Sequence, residues 1–138
     1  MNPLTLMQKV FLLLAGISGA TNILLGAMAA HWLKDKLNYW ELGTFETAAR
    51  YQMYHTLALI GLAVIINFYP SKLLNWAGIF FILGIALFSG SLYLMSVSTL
   101  VHRPGLEMLG PITPIGGASF MVGWMLLALS IVLNWKSR

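Results

Sequence analysis

The stretch that decides the fold is residues 10–30, VFLLLAGISGATNILLGAMAA, which contains no ionisable side chain. A helix rises about 1.5 Å per residue, so about 20 apolar residues cross the roughly 30 Å hydrocarbon core of a bilayer. Lys9 precedes the run, and Ala27-Met28-Ala29 near its end is a small-residue triplet typical of signal cleavage. The run is nevertheless longer than the roughly 7 to 15 residues of a signal peptide's apolar region. We therefore expect a retained membrane-spanning helix.

Three further stretches have the length and composition of a membrane span. They cover about residues 48–69, 76–97 and 115–135. The connection at 70–75 is short, so the second and third helices should be antiparallel neighbours, whereas the loop at 98–114 is longer. The predicted fold class is all-α: an integral membrane four-helix bundle that forms a single transmembrane domain over residues 1–138.

The overall composition agrees with a membrane protein. Of the 138 residues, 59% are hydrophobic and only 9% are charged, whereas soluble domains have about 45 to 50% and about 25%. The formal net charge is +4, but the basic residues lie at the ends of the apolar stretches, where they act as orientation signals. We therefore expect the lipid bilayer, and no nucleic acid, as a partner. The chain has no cysteine, which excludes disulfides and cysteine-based metal sites.

The number of spans and the basic residues predict the orientation. Four spans put both termini on one side of the membrane. Lys9, Lys72, Lys136 and Arg138 fall on that side, and Lys34, Lys36, Arg50 and Arg103 fall on the other. The count of Lys and Arg is therefore a tie, and the short loop at Lys72 favours termini in the cytoplasm. We expect a multi-pass protein of the cell inner membrane.

The segment between the first two spans has a helical pattern of its own. Leu33, Leu37 and Trp40 recur at helical spacing, and Asn38 and Glu41 have the spacing of an N-cap and its N3 partner. We expect a short interfacial helix between the first and second transmembrane helices. It either ends at Gly43 or runs unbroken into the second span.

Polar side chains concentrate where the second span begins. Glu46 and Arg50 are four residues apart and can pair on one helical face, while Gln52 and His55 share a different face. Polar residues near the ends of the other spans should lie at a similar depth. The candidate polar cluster consists of His31, Glu46, Arg50, Tyr51, Gln52, Tyr54, His55, Ser89, Tyr93 and Thr113.

Two interpretations of this cluster are open. Ionisable groups inside a membrane are costly and merit a functional hypothesis, which would be a ligand or proton site. Arg50 can extend to the interface and His55 lies near the membrane surface, so a structural network that joins the helices explains both residues and is favoured. A two-histidine haem site of His31 and His55 lacks any further ligand motif. We expect no catalytic residue, no metal and no cofactor.

Several segments, in order along nearly the whole chain, resemble one family. They are Gly-Ala at 26–27, Ala-His at 30–31, Leu-Lys at 33–34, Thr-Phe-Glu-Thr-Ala at 44–48, Arg-Tyr-Gln-Met-Tyr-His at 50–55, Phe-Ser-Gly-Ser-Leu-Tyr at 88–93 and Gly-Pro-Ile-Thr-Pro-Ile-Gly-Gly at 110–117. This pattern resembles the domain-of-unknown-function 423 family of small bacterial membrane proteins, with Met28-Ala29 in place of that family's Phe-Gly. The resemblance implies a four-helix inner-membrane protein, related in outline to the transmembrane protein 256 group, and implies no particular activity.

The sequence favours a non-enzymatic role in interaction or envelope support. Small residues four apart, such as Gly16 and Ala20, let helices approach closely within a chain or between chains, so self-association or binding to other membrane proteins is expected. The alternative is a small oligomeric transporter or channel that uses the polar cluster. An enzyme is disfavoured, because no nucleophile with an adjacent base and no phosphate-binding glycine loop is present.

Overall fold

The computed structural model describes residues 3–135, except for the side chains of Pro104, Asn134 and Trp135. Four helices in it are long and apolar enough to cross a membrane, which confirms the predicted all-α, four-span fold. The helices are α1 (Leu6–Met28), α2 (Tyr39–Phe68), α3 (Lys72–Gly84), α4 (Gly90–Ser96) and α5 (Ile112–Trp135). Lys136 and Arg138, which entered the orientation argument, lie outside the described residues.

Two π-helical turns and one 3₁₀ helix complete the path of the chain between residues 3 and 135. The turn Ala29–Leu33 extends α1, and the turn Ile85–Ser89 joins α3 and α4 into the third span. In each turn a backbone N–H bonds to the carbonyl five residues earlier, as from Lys34 to Ala29. The 3₁₀ helix Pro104–Leu109 lies in the long loop before α5.

Reciprocal hydrogen bonds cap the first two spans. Thr5 Oγ1 accepts from the Gln8 backbone N–H, and Gln8 Oε1 accepts from the Thr5 backbone N–H at 2.8 Å. Asn38 Oδ1 accepts from the Glu41 backbone N–H at 3.0 Å, and Glu41 Oε2 accepts from the Asn38 backbone N–H at 2.9 Å. Each pair satisfies N–H groups that a helix start otherwise leaves unbonded.

The predicted separate interfacial helix is not confirmed. Asn38 caps α2 itself, and α2 runs unbroken from Tyr39 to Phe68. Gly43 therefore lies inside a helix, and the Thr44 hydroxyl donates to the Trp40 carbonyl at 2.9 Å, as mid-helix threonines do, instead of capping a new helix. The chain between the two spans is a tight turn in which the Leu37 amide donates to the Leu33 carbonyl at 2.8 Å.

The helices pack pairwise around a core of aromatic and aliphatic side chains. α1 packs mainly on α2, α5 packs mainly on α3, and α2 contacts α3 and α4. The main core contains Phe11, Ala15, Leu59, Leu62, Ala63, Ile66, Leu74, Ala77, Phe81 and Phe120. A smaller core near the first loop contains Ala29, Leu33, Leu37 and Phe45. Since lipid tails are as apolar as leucine, close packing and hydrogen bonds hold such helices together.

Glycines allow α5 to lie close to the third span. A Cβ on Gly116 would be 2.3 Å from the Phe88 backbone nitrogen, and one on Gly84 would be 2.3 Å from Cδ1 of Phe120. Phe88 belongs to the π-helical turn Ile85–Ser89, so the irregular turn of one helix meets a glycine of the other. The position of α5 therefore depends on the absence of a side chain at Gly116.

We predict that Gly116→Ala weakens the docking of α5. The added methyl meets backbone, which cannot rotate away, so the free energy of unfolding should fall by about 1 to 3 kcal/mol. Gly61→Ala is the matched control, because a Cβ there has nothing within 4 Å and removing a helical glycine is neutral or favourable by about 0.5 to 1 kcal/mol. Unfolding in mixed micelles measures both, and equal stabilities would contradict the close approach.

Candidate functional site

Gln52 is the centre of a buried hydrogen-bond cluster between α1, α2 and α4. Its side chain is 5% exposed. The amide nitrogen Nε2 lies 3.0 Å from the Ser18 carbonyl oxygen, 3.2 Å from Ser18 Oγ and 3.2 Å from Thr21 Oγ1. Its Oε1 accepts from the Tyr93 hydroxyl at 2.8 Å. One amide thus joins three helices.

Two more polar side chains, those of Thr56 and Asn22, extend this cluster along the α1–α2 contact. Ser18 Oγ and Thr56 Oγ1 are 2.6 Å apart, and the Thr56 hydroxyl also lies 2.7 Å from the backbone carbonyl oxygen of Gln52. Asn22 Nδ2 donates to the Ala49 carbonyl at 2.6 Å. Every one of these side chains has a partner from the protein, so the cluster requires no ligand to satisfy it.

His55 lies in a separate aromatic niche between α2 and α5. It is 4% exposed, and its ring stacks on Phe120 with centroids 3.4 Å apart. The Trp124 indole N–H donates to His55 Nε2 at 3.2 Å, and His55 Nδ1 lies 2.8 Å from the Tyr51 carbonyl oxygen. Rings of Phe81, Phe88 and Tyr51 surround this group.

The partners of His55 define its protonation pattern. A carbonyl oxygen only accepts and an indole N–H only donates, so Nδ1 must carry the hydrogen and Nε2 must be bare. This is the neutral ring, and a second proton on Nε2 would point at the Trp124 N–H. Both nitrogens are therefore occupied by the protein, which leaves none for a metal or haem iron.

Smaller polar contacts join the third span and the loops. Ser91 Oγ and Thr113 Oγ1 are 2.7 Å apart and connect α4 to α5. The Thr99 hydroxyl donates to Glu41 Oε1 at 2.7 Å, which ties the loop after α4 to the start of α2. Ser89 is buried in the π-helical turn, and its Oγ has no hydrogen-bond partner among the described residues.

The structure divides the candidate cluster into buried and exposed parts. Gln52, His55, Tyr93 and Thr113 take part in the hydrogen bonds between helices described above, and Ser89 is buried without a hydrogen-bond partner among the described residues. The other candidates are exposed: His31, Glu46, Arg50, Tyr51 and Tyr54.

The pairing of Glu46 with Arg50 that their spacing allows is absent. Neither side chain forms an ion pair or a hydrogen bond within the described part of the chain. His31 is exposed in the π-helical turn that follows α1, while both ring nitrogens of His55 are engaged, so the two do not form a histidine pair. Across residues 3–135, no three His, Cys, Asp or Glu side chains are grouped as a metal site would need.

Sequence reasoning missed the partners that complete the cluster. Ser18, Thr21, Asn22 and Thr56 are polar residues within apolar runs, and that contrast is a signal that could have found them, because such residues bond across membrane helices. Trp124 had no comparable signal. It meets His55 from 69 positions away, through the packing of α5.

The fold and the buried clusters define a multi-pass membrane protein whose four spans are joined by polar and aromatic side chains. Within this class, the chain belongs to the family described as protein of unknown function (DUF423), whose model matches residues 25–117. The family predicted from the sequence resemblance is thereby confirmed.

Named relatives agree with this assignment. The UPF0382 inner membrane protein YgdD of Escherichia coli (strain K12) is 38% identical over 125 residues, which cover 91% of both chains. The UPF0382 membrane protein SSP2132 of Staphylococcus saprophyticus is 39% identical over 122 residues, or 88% of this chain and 96% of that one. No solved structure matches the chain. The predicted location in the inner membrane is confirmed, and the side on which the termini lie stays a prediction.

We predict that Tyr93→Phe destabilises the bundle by about 1 kcal/mol, because it leaves the buried Gln52 oxygen without a donor. Tyr39→Phe is the control, since Tyr39 is 83% exposed and its change should be neutral. Unfolding of the single and double variants with Gln52→Leu measures the coupling of the two side chains. Additive losses for Tyr93 and Gln52 would contradict the hydrogen bond.

Proposed function

We propose that the protein is a non-enzymatic membrane component that binds other copies of itself or other membrane proteins and thereby supports the cell envelope. The observation that carries this proposal is that neither buried cluster leaves a polar atom of Gln52 or His55 open to a ligand. Gln52 and His55 have their polar atoms bonded to protein groups. Such side chains hold the helices in register, so the outer surface of the bundle keeps a fixed shape. A protein that binds partners through that surface needs this fixed shape.

The closed clusters argue against a passage through the bundle. A transport pathway needs polar or ionisable groups that exchange partners with a solute, and these normally face a wet cavity. Among the described residues, the buried polar ones are Gln, Asn, His, Ser and Thr, with no Asp, Glu, Lys or Arg. The charged side chains lie toward the membrane surfaces, where they interact with lipid, water or a partner.

The outer face of α1 supports the proposed association. Ala15 is buried, and a Cβ on Gly19 would contact Thr56 Cγ2 at 3.7 Å, so this small pair serves packing within the chain. Gly16 and Ala20 are exposed on the same helix, and a Cβ on Gly16 has nothing within 4 Å. A small-xxx-small pair facing lipid allows close approach of a second helix.

We predict that Gly16→Leu weakens self-association in lipid vesicles by about tenfold, because the added side chain holds the helix backbones apart. Energy transfer between donor- and acceptor-labelled copies, followed as lipid is added, measures the association. Gly61→Leu is the matched control, since Gly61 is exposed on α2 and a Cβ there also has nothing within 4 Å. That variant should associate like the original chain.

Two results would contradict the proposal. The interaction role would be contradicted if energy transfer were no greater than expected for randomly mixed monomers and if crosslinking in native membranes captured no membrane protein. Vesicles that conduct protons faster with the protein than without it, and lose that conductance in His55→Ala, would establish the transporter alternative.

A further inference from the structure

The length of α2 places Glu46 and Arg50 at defined depths. The helix has 30 residues, or about 45 Å, whereas the hydrocarbon core takes about 30 Å. At its far end the chain turns at once into α3, where Lys72 is exposed, so this end lies at the opposite interface. About ten residues at the start of α2 therefore extend into the headgroup layer. Arg50 lies at the hydrocarbon border, and Glu46 lies about 6 Å further out.

Both charges are available to a ligand. Glu46 and Arg50 are exposed, and neither has a hydrogen-bond or ion-pair partner within the described part of the chain. This contrasts with Glu41 on the same helix, whose two carboxylate oxygens accept from Thr99 and from the Asn38 amide. An anion and a cation are thus displayed in fixed order on one helical face, with the cation deeper.

Two grooves meet at these side chains. The groove nearer the membrane surface, called the shallower groove, has a volume of about 490 Å³ and runs along α2. It is lined by Tyr39, Trp40, Leu42, Gly43, Thr44, Glu46, Thr47, Arg50 and Leu92. The groove that reaches further into the hydrocarbon, called the deeper groove, has a volume of about 470 Å³, lies between α1 and α2 and is lined by Asn22, Gly26, Ala29, Ala30, Glu46, Ala49, Arg50, Met53 and Tyr54. Small residues on both helices leave the deeper groove open.

We propose that this surface is a binding site for a zwitterionic phospholipid whose headgroup ends in a primary ammonium, as in phosphatidylethanolamine. In such a lipid the phosphate lies next to the glycerol and the ammonium lies further from the hydrocarbon. Arg50 binds the phosphate and Glu46 binds the ammonium, so the order of charges on the helix matches the order in the lipid. One acyl chain leaves the deeper groove past Met53 and Tyr54, which line it about one helical turn further into the hydrocarbon than Arg50.

The residues around the charges favour this headgroup over others. A primary ammonium donates N–H bonds to the Glu46 carboxylate, whereas a trimethylammonium group has no N–H to donate. A glycerol headgroup leaves a net negative lipid beside the Glu46 carboxylate.

The test uses the full chain in phosphatidylcholine vesicles that contain a trace of spin-labelled lipid with matched acyl chains. The probes are phosphatidylethanolamine, phosphatidylcholine and phosphatidylglycerol, and the motionally restricted fraction gives their relative association. We expect about fivefold selectivity for phosphatidylethanolamine over both others, the scale of partly exposed charge pairs. Glu46→Gln should remove the selectivity over both other lipids, because the ammonium N–H bonds to this carboxylate distinguish the headgroups. Arg50→Gln removes the partner of a phosphate that all three lipids carry, so it should lower the restricted fraction of each lipid and keep their order.

Exchanging the two charges tests whether their order along α2, and not only their presence, determines the selectivity. Glu46→Arg combined with Arg50→Glu keeps both charges and the net charge but places the anion deeper, and it should lose the selectivity. Arg103→Gln and Glu107→Gln are the controls, since both residues are exposed in the loop before α5, and they should keep it. Equal association of the three lipids, or unchanged selectivity after charge exchange, would overturn the proposal. Displacement of the labelled lipid by glycerophosphoethanolamine would assign the site to a soluble phosphate ester and overturn the lipid assignment.

We further predict that Gly26→Leu lowers the restricted fraction of spin-labelled phosphatidylethanolamine at least threefold. A Cβ on Gly26 has nothing within 4 Å, so the leucine fits without disturbing the fold and fills the part of the deeper groove beside Glu46, which excludes the headgroup. Gly61→Leu, equally unobstructed and outside both grooves, should leave the fraction unchanged. An equal effect of the two variants would contradict the placement of the headgroup in the deeper groove.

Discussion

The side-chain amide of Gln52 is the interaction on which the arrangement of the first three spans depends. In hydrocarbon no water is available to satisfy a polar group, so a buried amide fixes the helices that bond to it. Here the nitrogen faces Ser18 and Thr21 on α1, and the oxygen accepts from Tyr93 on α4. A shift of either helix along α2 would break these bonds, so the bonds set the register of the three spans.

The fourth span is held by shape as well as by hydrogen bonds. Gly84 and Gly116 remove the side chains that would separate α5 from the third span, and Phe88 and Phe120 occupy that space. The π-helical turn Ile85–Ser89 contributes because it carries Phe88 toward α5. His55 then completes the contact through its stacking on Phe120, so one aromatic layer connects the second, third and fourth spans.

The sequence predicted the spans and the cap at Asn38, because apolar length and capping spacing are local properties. It left open whether the helix capped at Asn38 ends at Gly43 or runs on into the second span, since a glycine at position 43 breaks a helix only where packing does not support it. The membership of Gln52 and His55 in a polar cluster followed from their position. Their partners did not, because Ser18 and Trp124 are brought to them by helix packing, which no single segment encodes.

The central claim is that the side chains of Gln52 and His55 are closed to water and bonded to protein groups, and nitrogen-15 solid-state NMR of the histidine rings in lipid bilayers tests it most directly. The signal of His55, assigned by its loss in His55→Ala, should show a neutral ring with hydrogen on Nδ1 and no exchange with water at neutral pH. His31 and His102 are exposed and should exchange, which provides an internal reference. A His55 ring that exchanges with water, or carries its hydrogen on Nε2, would contradict the closed cluster and point to a site open to solutes.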